Sequence, residues 1–270
     1  MSDHLRRHLA PVTAAAWEQI DREAARALRH FLAARALVDV AGPAGWEMSS
    51  VGLGRLRSAA PSPAEGVVAD VRVSQPLVEM RTPFELSLLE MDMIDRGARD
   101  PDLTPVSDAA ALAARAEDRA VFHGYDPGGI AGIAPSSPHH PLEIGDDYNG
   151  YPKVVARAVA QLRQAGIGGP YGIALGPRCY TGVIETTEHG GYPVLEHVKM
   201  ILGGPVVWAP NVDGAIVLSV RGGDYEIVCA EDFSVGYRAH ADDTVELFLE
   251  ESFTLVVNEP RAAIWLRYPG

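Results

Sequence analysis

Apolar residues recur every three or four positions over residues 14–35. Trp17, Ile20, Ala24, Leu28 and Phe31 line one stripe, while Glu18, Asp21, Arg22 and Arg29 lie off it, so the spacing predicts an amphipathic helix. Thr13 is placed to cap it, and the nearby Pro11 stops it extending backwards. The period changes after Trp46. Residues 51–57 and 67–73 read as two strands separated by a turn-rich run at 58–66. In the second, Val67, Ala69, Val71 and Val73 alternate with Val68, Asp70, Arg72 and Ser74, giving one apolar face. A lone two-stranded ribbon is marginal in water. It must lie against its own domain or against a neighbour.

Helical spacing returns from about Ser107-Asp108 to Phe122, with Gly124 as its stop. Its many alanines (Ala109 to Ala111, Ala113, Ala114, Ala116) allow close packing against a sheet. The run Ser136-Ser137-Pro138-His139-His140-Pro141 reads as a mobile hinge or surface loop. Residues 151–220 then alternate: a helix carrying Val154, Val155, Ala158 and Leu162, a strand at 171–175, helical segments around Thr181 and Val194, and strands at 205–208 and 215–220. That pattern is a compact α/β unit. Strands follow at 225–230, 245–249 and 253–257, and the chain closes on Ala263-Ile264-Trp265-Leu266. Their natural partners are the early helices, so the first domain is expected to be discontinuous within an α+β fold.

Composition narrows the function classes. The 270 residues are 47% hydrophobic, enough for a sizeable core in one large or two modest domains. The net charge of -13 argues against coating nucleic acid, which needs clustered cations. Cys179 and Cys229 cannot form a disulfide framework or a four-thiolate zinc site, which fits a cytoplasmic location. No apolar run approaches a membrane span, and no signal peptide is evident.

Candidate chemistry is sparse. His139-His140 lacks ligand partners at a recognised spacing, so no metal is expected. The glycines at 166–169 and 222–223 lack the Gly-Lys-Ser/Thr of a phosphate loop and read as turns. No Gly-x-Ser-x-Gly elbow is present, and Glu90, Asp92 and Asp95 read as helix-surface charges.

What remains is an ordered set of blocks. They are Arg35 and Val38-Asp39-Val40 with Gly42-Pro43-Ala44-Gly45-Trp46-Glu47, and Pro83-Phe84 with Glu90-x-Asp92 and Asp95-Arg96-Gly97. Ala116-Glu117-Asp118, Val121-Phe122-His123-Gly124 and Gly169-Pro170-Tyr171 follow, then Gly191-Tyr192-Pro193, Arg221-Gly222-Gly223-Asp224-Tyr225 and Asp232-Phe233-Ser234-Val235-Gly236-Tyr237. Together they resemble the encapsulins, bacterial shell proteins with the Hong Kong-type bacteriophage capsid fold.

The resemblance implies a peripheral domain built from both ends of the chain. Residues 1–49 would hold the N-terminal helix and its start, 50–82 the extended loop, 83–130 the peripheral domain with its spine helix, 131–222 the axial domain, and 223–270 the peripheral strands. The extended loop would pair with a neighbouring subunit. Segment 50–82 has no lysine, so the covalent cross-link of related phage shells is not expected.

The implied function is noncatalytic: a shell subunit that self-assembles into an icosahedral compartment, a homo-oligomer of about 60 subunits (T=1) or more, enclosing a cargo enzyme. A dye-decolorizing peroxidase or a ferritin-like iron protein would be held through its C-terminal targeting peptide. By resemblance that peptide docks on Leu28, Phe31, Arg35 and Asp39 on one side and Phe233, Val235 and Tyr237 on the other. Glu188, His189, Gly190, Gly191 and Tyr192 match a loop around the fivefold pore, where rings of carboxylate and imidazole would favour cations and respond to pH. From the residues alone, this loop is a flexible connection with a surface histidine. Some encapsulins stack a flavin on a Trp in the segment matching Leu88-Leu89; with no aromatic there, no cofactor is expected. The alternatives are a phage-type major capsid protein, disfavoured by the acidic charge, and a hydrolase or protease, disfavoured by the missing nucleophile motif.

Overall fold

The computed structural model describes residues 3–188 and 190–269. Two 3-10 turns, Asp3–Leu5 and Arg7–Leu9, lead into helix α1 (Ala14–Phe31). Thr13 caps α1: its Oγ1 accepts from the Ala16 N–H at 3.2 Å and donates to Asp95 Oδ1 at 2.6 Å. Thr13→Ala is expected to cost about 1 kcal/mol, seen as a lower denaturation midpoint at unchanged slope.

The helix ends at Phe31, short of the expected Arg35. The N–H groups of Ala33 and Ala34 donate to the two carboxylate oxygens of buried Asp118, at 3.0 and 2.9 Å, and Ala34–Ala36 forms a 3-10 turn. A side chain from elsewhere has taken the amides that would have continued the ladder.

Further along stand β1 (Asp39–Ala41), β2 (Ser50–Ser58), β3 (Asp70–Pro76), β4 (Val78–Ser87), α2 (Leu88–Asp95) and α3 (Thr104–His123). Next come α4 (Ile133–Ser136), β5 (Leu142–Glu143), α5 (Tyr151–Gln164), β6 (Tyr171–Leu175), α6 (Pro177–Glu185), α7 (Val194–Leu202), β7 (Val206–Trp208) and β8 (Ala215–Ser219). Strands β9 (Tyr225–His240), β10 (Thr244–Val257) and β11 (Ala263–Arg267) complete the chain. Gly124 ends α3 as expected; at φ 87° it suits a residue without Cβ, and an added Cβ would meet the Ala131 carbonyl oxygen at 2.7 Å.

Three sheets result, ordered β1-β9-β10-β4, β5-β11-β8-β6-β7, and the ribbon β2-β3. The long antiparallel pair β9–β10 joins the expected strands at 245–249 and 253–257 into one, with register shifts around Glu250 and Ser252 rather than a break. One core gathers α1, α2, the first part of α3 and the Val235–Leu249 end of the four-stranded sheet; the other gathers the five-stranded sheet, α5 to α7 and the last turns of α3. Strands β6 and β8 are buried along their whole lengths, which explains their unbroken apolar sequences.

Three expected boundaries move. Residues 78–82 were grouped with the extended loop, yet β4 pairs with β10 from Val78 to Ser87, so the ribbon stops at Pro76. Its second strand starts at Asp70, not Val67, because a turn at 64–67 closes with Val67 N–H on the Ala64 carbonyl. The segment 263–267, expected with the peripheral strands, instead pairs antiparallel with β8 and parallel with β5. Ala263, Ile264 and Leu266 are buried and Trp265 half-buried, as fits the middle of a sheet. The Ser/Pro/His run is also more firmly held than a mobile loop: Ser137 Oγ donates to the Ala263 carbonyl at 2.7 Å, and His139 Nε2 sits 3.0 Å from the Arg261 carbonyl.

The ribbon projects Leu56, Val67, Val68 and Val71 into solvent, with Val68 87% exposed. Isolated apolar residues on a surface are ordinary; here four fall on a two-stranded ribbon and its connecting turn, an element that is marginal alone in water.

Candidate functional site

The seven residues expected to form a peptide groove separate into five environments. Leu28 and Val235 are core: 8% and 2% exposed, they pack in the same cluster where α1 lies on the sheet. Leu28→Asp would therefore bury an unpaired charge and test folding rather than docking. Phe31 is half-buried on the α3 side of α1, its ring 5.9 Å from Trp208 and under the Arg115 guanidinium at 5.4 Å.

Asp39 is elsewhere. It pairs in register with Glu226 at the start of β9, and its Oδ2 accepts from the Gly223 N–H at 2.5 Å. Seven residues of strand separate that point from Phe233, roughly 20 Å. Asp39 pins a glycine turn and does not join the other six.

Arg35 and Phe233 do meet, with the guanidinium 5.0 Å from the ring centroid. Beneath them lies a charge cluster that sequence reading missed. Arg35 Nη2 bonds Glu117 at 2.6 Å and Glu251 at 2.5 Å, and Nη1 bonds Asp232 at 2.8 Å. Glu117 and Glu251 are sealed from solvent, while Asp232 is 51% exposed. Arg35 is thus a structural clamp between α3, β9 and β10. The available signal was an acidic pair, Glu117-Asp118, inside an alanine-rich helix pattern.

The cluster's proton balance follows from burial. Burial opposes charge on Arg35, but its bonds to Glu117 and the nearby Glu251 and Asp232 more than compensate, holding its proton well above the usual arginine range. Glu251 is pushed far up by burial and by Glu117 beside it. Burial and the neighbouring Glu251 raise the Cys229 thiol to about 12. Asp118 is raised to about 7 by burial, against the pull of the Ala34 and Ala33 amides.

Cys229, Asp232 and Glu251 place ligand atoms within 4.8 Å of one another. The Arg35 guanidinium bonds two of the three groups, so it already supplies the cationic charge a metal would bring.

Tyr237 is half-buried, and its hydroxyl is 2.6 Å from His240 Nδ1. Between Tyr237 and Phe233 the outer edge of β9 has no strand partner among the described residues; the two N-terminal 3-10 turns lie against β9 instead. Residues 39–41 and then Ala44 and Gly45 pair with β9 as far as Ala230. Past that point, among the described residues, the Val235 carbonyl accepts from Arg7 Nε at 2.6 Å and no strand partner follows. Arg7 also forks onto Asp21 at 2.5 and 2.8 Å and lies 4.4 Å above Trp17.

The second expected site is the loop joining α6 to α7. His189 lies outside the described residues. Glu188 and Tyr192 close the loop through the Glu188 N–H on the Tyr192 carbonyl at 2.8 Å; Gly190 and Gly191 take φ of 121° and 80°, and Tyr192 is exposed. A titratable partner that sequence reading did not name is His197 on α7, with Nδ1 2.8 Å from Glu188 Oε1.

Comparison with known proteins decides the family. The family described as "Linocin_M18: Encapsulating protein for peroxidase" matches residues 1–254. The type 1 encapsulin shell protein of Rhodospirillum rubrum is 48% identical over 97% of this chain and 96% of its own length. The chain belongs to the encapsulin shell family. Among solved structures, a virus-like particle from Pyrococcus furiosus superposes with a TM-score of 0.66 at 16% identity, covering 92% of this chain and 98% of the other. The capsid of Myoviridae phage XM1 follows at 0.55 and 11% identity, covering 85% and 89%. At such low identity these likenesses establish the fold, a Hong Kong-type capsid fold of the α+β class. This encapsulin is accordingly a noncatalytic subunit of a multimeric, capsid-like shell. No helix among the described residues is long and apolar enough to cross a membrane.

Proposed function

We propose that this encapsulin forms a closed cytoplasmic compartment, in the T=1 arrangement of about 60 subunits, and retains a cargo enzyme through that enzyme's C-terminal targeting peptide. A dye-decolorizing peroxidase or a ferritin-like protein is the cargo expected, and the family description names a peroxidase. The observation that supports the reading is the stretch of β9 beyond Ala230 that no strand pairs among the described residues, covered by the N-terminal turns and the Arg7 bond to the Val235 carbonyl, with half-buried Phe233 and Tyr237 along it. An extended peptide can add to such an edge through its backbone and place alternate side chains beside it. Full burial of one apolar side chain contributes roughly 1.5–3 kcal/mol, so each site is weak, and a multimeric cargo gains retention from engaging several sites at once. The ribbon's exposed valines supply noncovalent contact to the next subunit, and the Glu188–Tyr192 loop lines a small-solute pore.

Electron microscopy of the shell co-expressed with a fluorescent protein bearing a candidate targeting tail is the test. Uniform hollow particles carrying the fluorophore support the reading; empty particles with every tail, or a chain that stays monomeric, reject it. Phe233→Asp, at a half-buried position, is expected to leave particles intact and reduce loading at least fivefold. Equal loading would remove Phe233 from the docking surface.

A further inference from the structure

A groove of about 580 Å³ opens between the N-terminal turns and the four-stranded sheet, on the side where β4, β9 and β10 come together. Its volume falls in the range of small-molecule sites. Three guanidinium groups line it, from Arg6, Arg81 and Arg238, together with three aromatic rings, from Trp46, Tyr237 and Phe248. No carboxylate lines it, in a chain whose net charge is -13. That contrast is local and specific, since clustered cations in an acidic protein repel one another unless something anionic joins them.

The cations are unevenly committed. Arg81 bonds Glu79 and buried Glu250 and lies 5.0 Å from the centroid of Phe248. Arg238 makes only a 3.6 Å contact with Glu246 and remains largely exposed. Arg6 takes a left-handed backbone, φ 50°, uncommon for a residue with a Cβ. No acid pairs with Arg6 among the described residues.

The imidazole at the groove's inner end is also unsatisfied. His4 stacks on Trp46 with centroids 3.8 Å apart and planes 16° apart. Its ring is 12% exposed, and Nε2 lies 3.2 Å from Glu250 Oε1 and 3.7 Å from Glu231. The other ring nitrogen, Nδ1, is buried with no hydrogen-bond partner among the described residues. Buried polar atoms without partners are rare in folded chains and point to a missing group.

We infer that this groove binds a mononucleotide: a flat heteroaromatic ring against the Trp46, Tyr237 and Phe248 side chains, and a phosphate held by Arg6 and Arg238. Guanidinium forks match phosphate oxygens in pairs and also tolerate aromatic neighbours, so one ligand satisfies both halves of the lining. The inference stands apart from the cargo reading and shares with it only Tyr237, at the groove's rim.

Calorimetric titration of the assembled shell with AMP, adenosine and inorganic phosphate tests it. AMP is expected to saturate at one per subunit, with adenosine and phosphate each at least tenfold weaker. Arg6→Gln with Arg238→Gln, both at exposed positions, should weaken AMP about tenfold or more while particles and cargo loading stay unchanged. Quenching of tryptophan emission by AMP should vanish in Trp46→Phe. Binding of adenosine as tight as AMP, an unaffected double variant, or no saturable binding to assembled particles would each overturn the proposal.

Discussion

Arg35→Met is expected to destabilise the folded subunit by about 3–5 kcal/mol, the range for removing one member of a buried ionic cluster. The change leaves Glu117 and Glu251 sealed from water without their shared cation, and leaves Asp232 without its 2.8 Å partner. Both buried carboxyls would then have to be neutral. Above the ordinary carboxylate range the unfolded chain has released those protons, so folding must take them up, and the deficit should grow as pH rises from 5 to 8. Thermal unfolding of wild type and variant across that range is the measurement. Arg35→Lys should recover only part of the loss, because one ammonium cannot reproduce a planar fork that reaches three carboxylates. A loss below about 1 kcal/mol, or one that does not vary with pH, would mean that Arg35 acts as a surface residue.

Asp118→Asn should flatten the pH dependence of stability between about pH 4 and 7. In the folded chain Asp118 is raised to about 7, against a reference of 3.8. Over that window the native state holds a proton that the unfolded chain has lost. The associated stabilisation is present in full below pH 4 and is lost as pH rises through 7, on the order of 4 kcal/mol across the range. Asparagine does not titrate, so the variant should keep the slopes due to Glu251 and Glu250, whose shifts have the same sign, and the opposing one due to His123. The amide replacing one oxygen also faces the Ala33 or Ala34 N–H, which costs a hydrogen bond at every pH. Parallel stability curves for the two proteins would show that Asp118 stays ionised throughout.

Much of the fold was legible because short-range signals agreed with the packing. The α1 stripe, the Thr13 cap, the Gly124 stop and the continuous apolar runs of β6 and β8 each report a local periodicity or a turn that the tertiary structure leaves alone. The misjudged points have a common origin in contacts distant along the chain. The end of α1 depends on Asp118, 84 and 85 residues away from the amides it caps. The limit of the ribbon depends on β10, which claims Val78 to Phe253 and the positions following as ladder partners.

The candidate site was harder to read. Family likeness supplied the residues, but only geometry shows that Leu28 and Val235 are interior, that Asp39 holds a turn at the other end of β9, and that Arg35 serves two buried acids. Glu251 sits in the polar run Glu250-Glu251-Ser252 of a strand, where a surface carboxylate would look the same. Nothing nearby in sequence announces that α3 will approach it.

The ladder position of β11 has a consequence for how the polypeptide matures. Because β11 stands between β5 and β8, a ribosome delivers the edges of that sheet long before the piece that joins them. Until then β8 exposes one unsatisfied flank, and the unit formed by residues 142–219 cannot reach its finished shape. Truncated translation products are therefore poor building blocks, so quality control is written into strand order: only a nascent chain carried through to Arg267 can offer neighbours a settled surface.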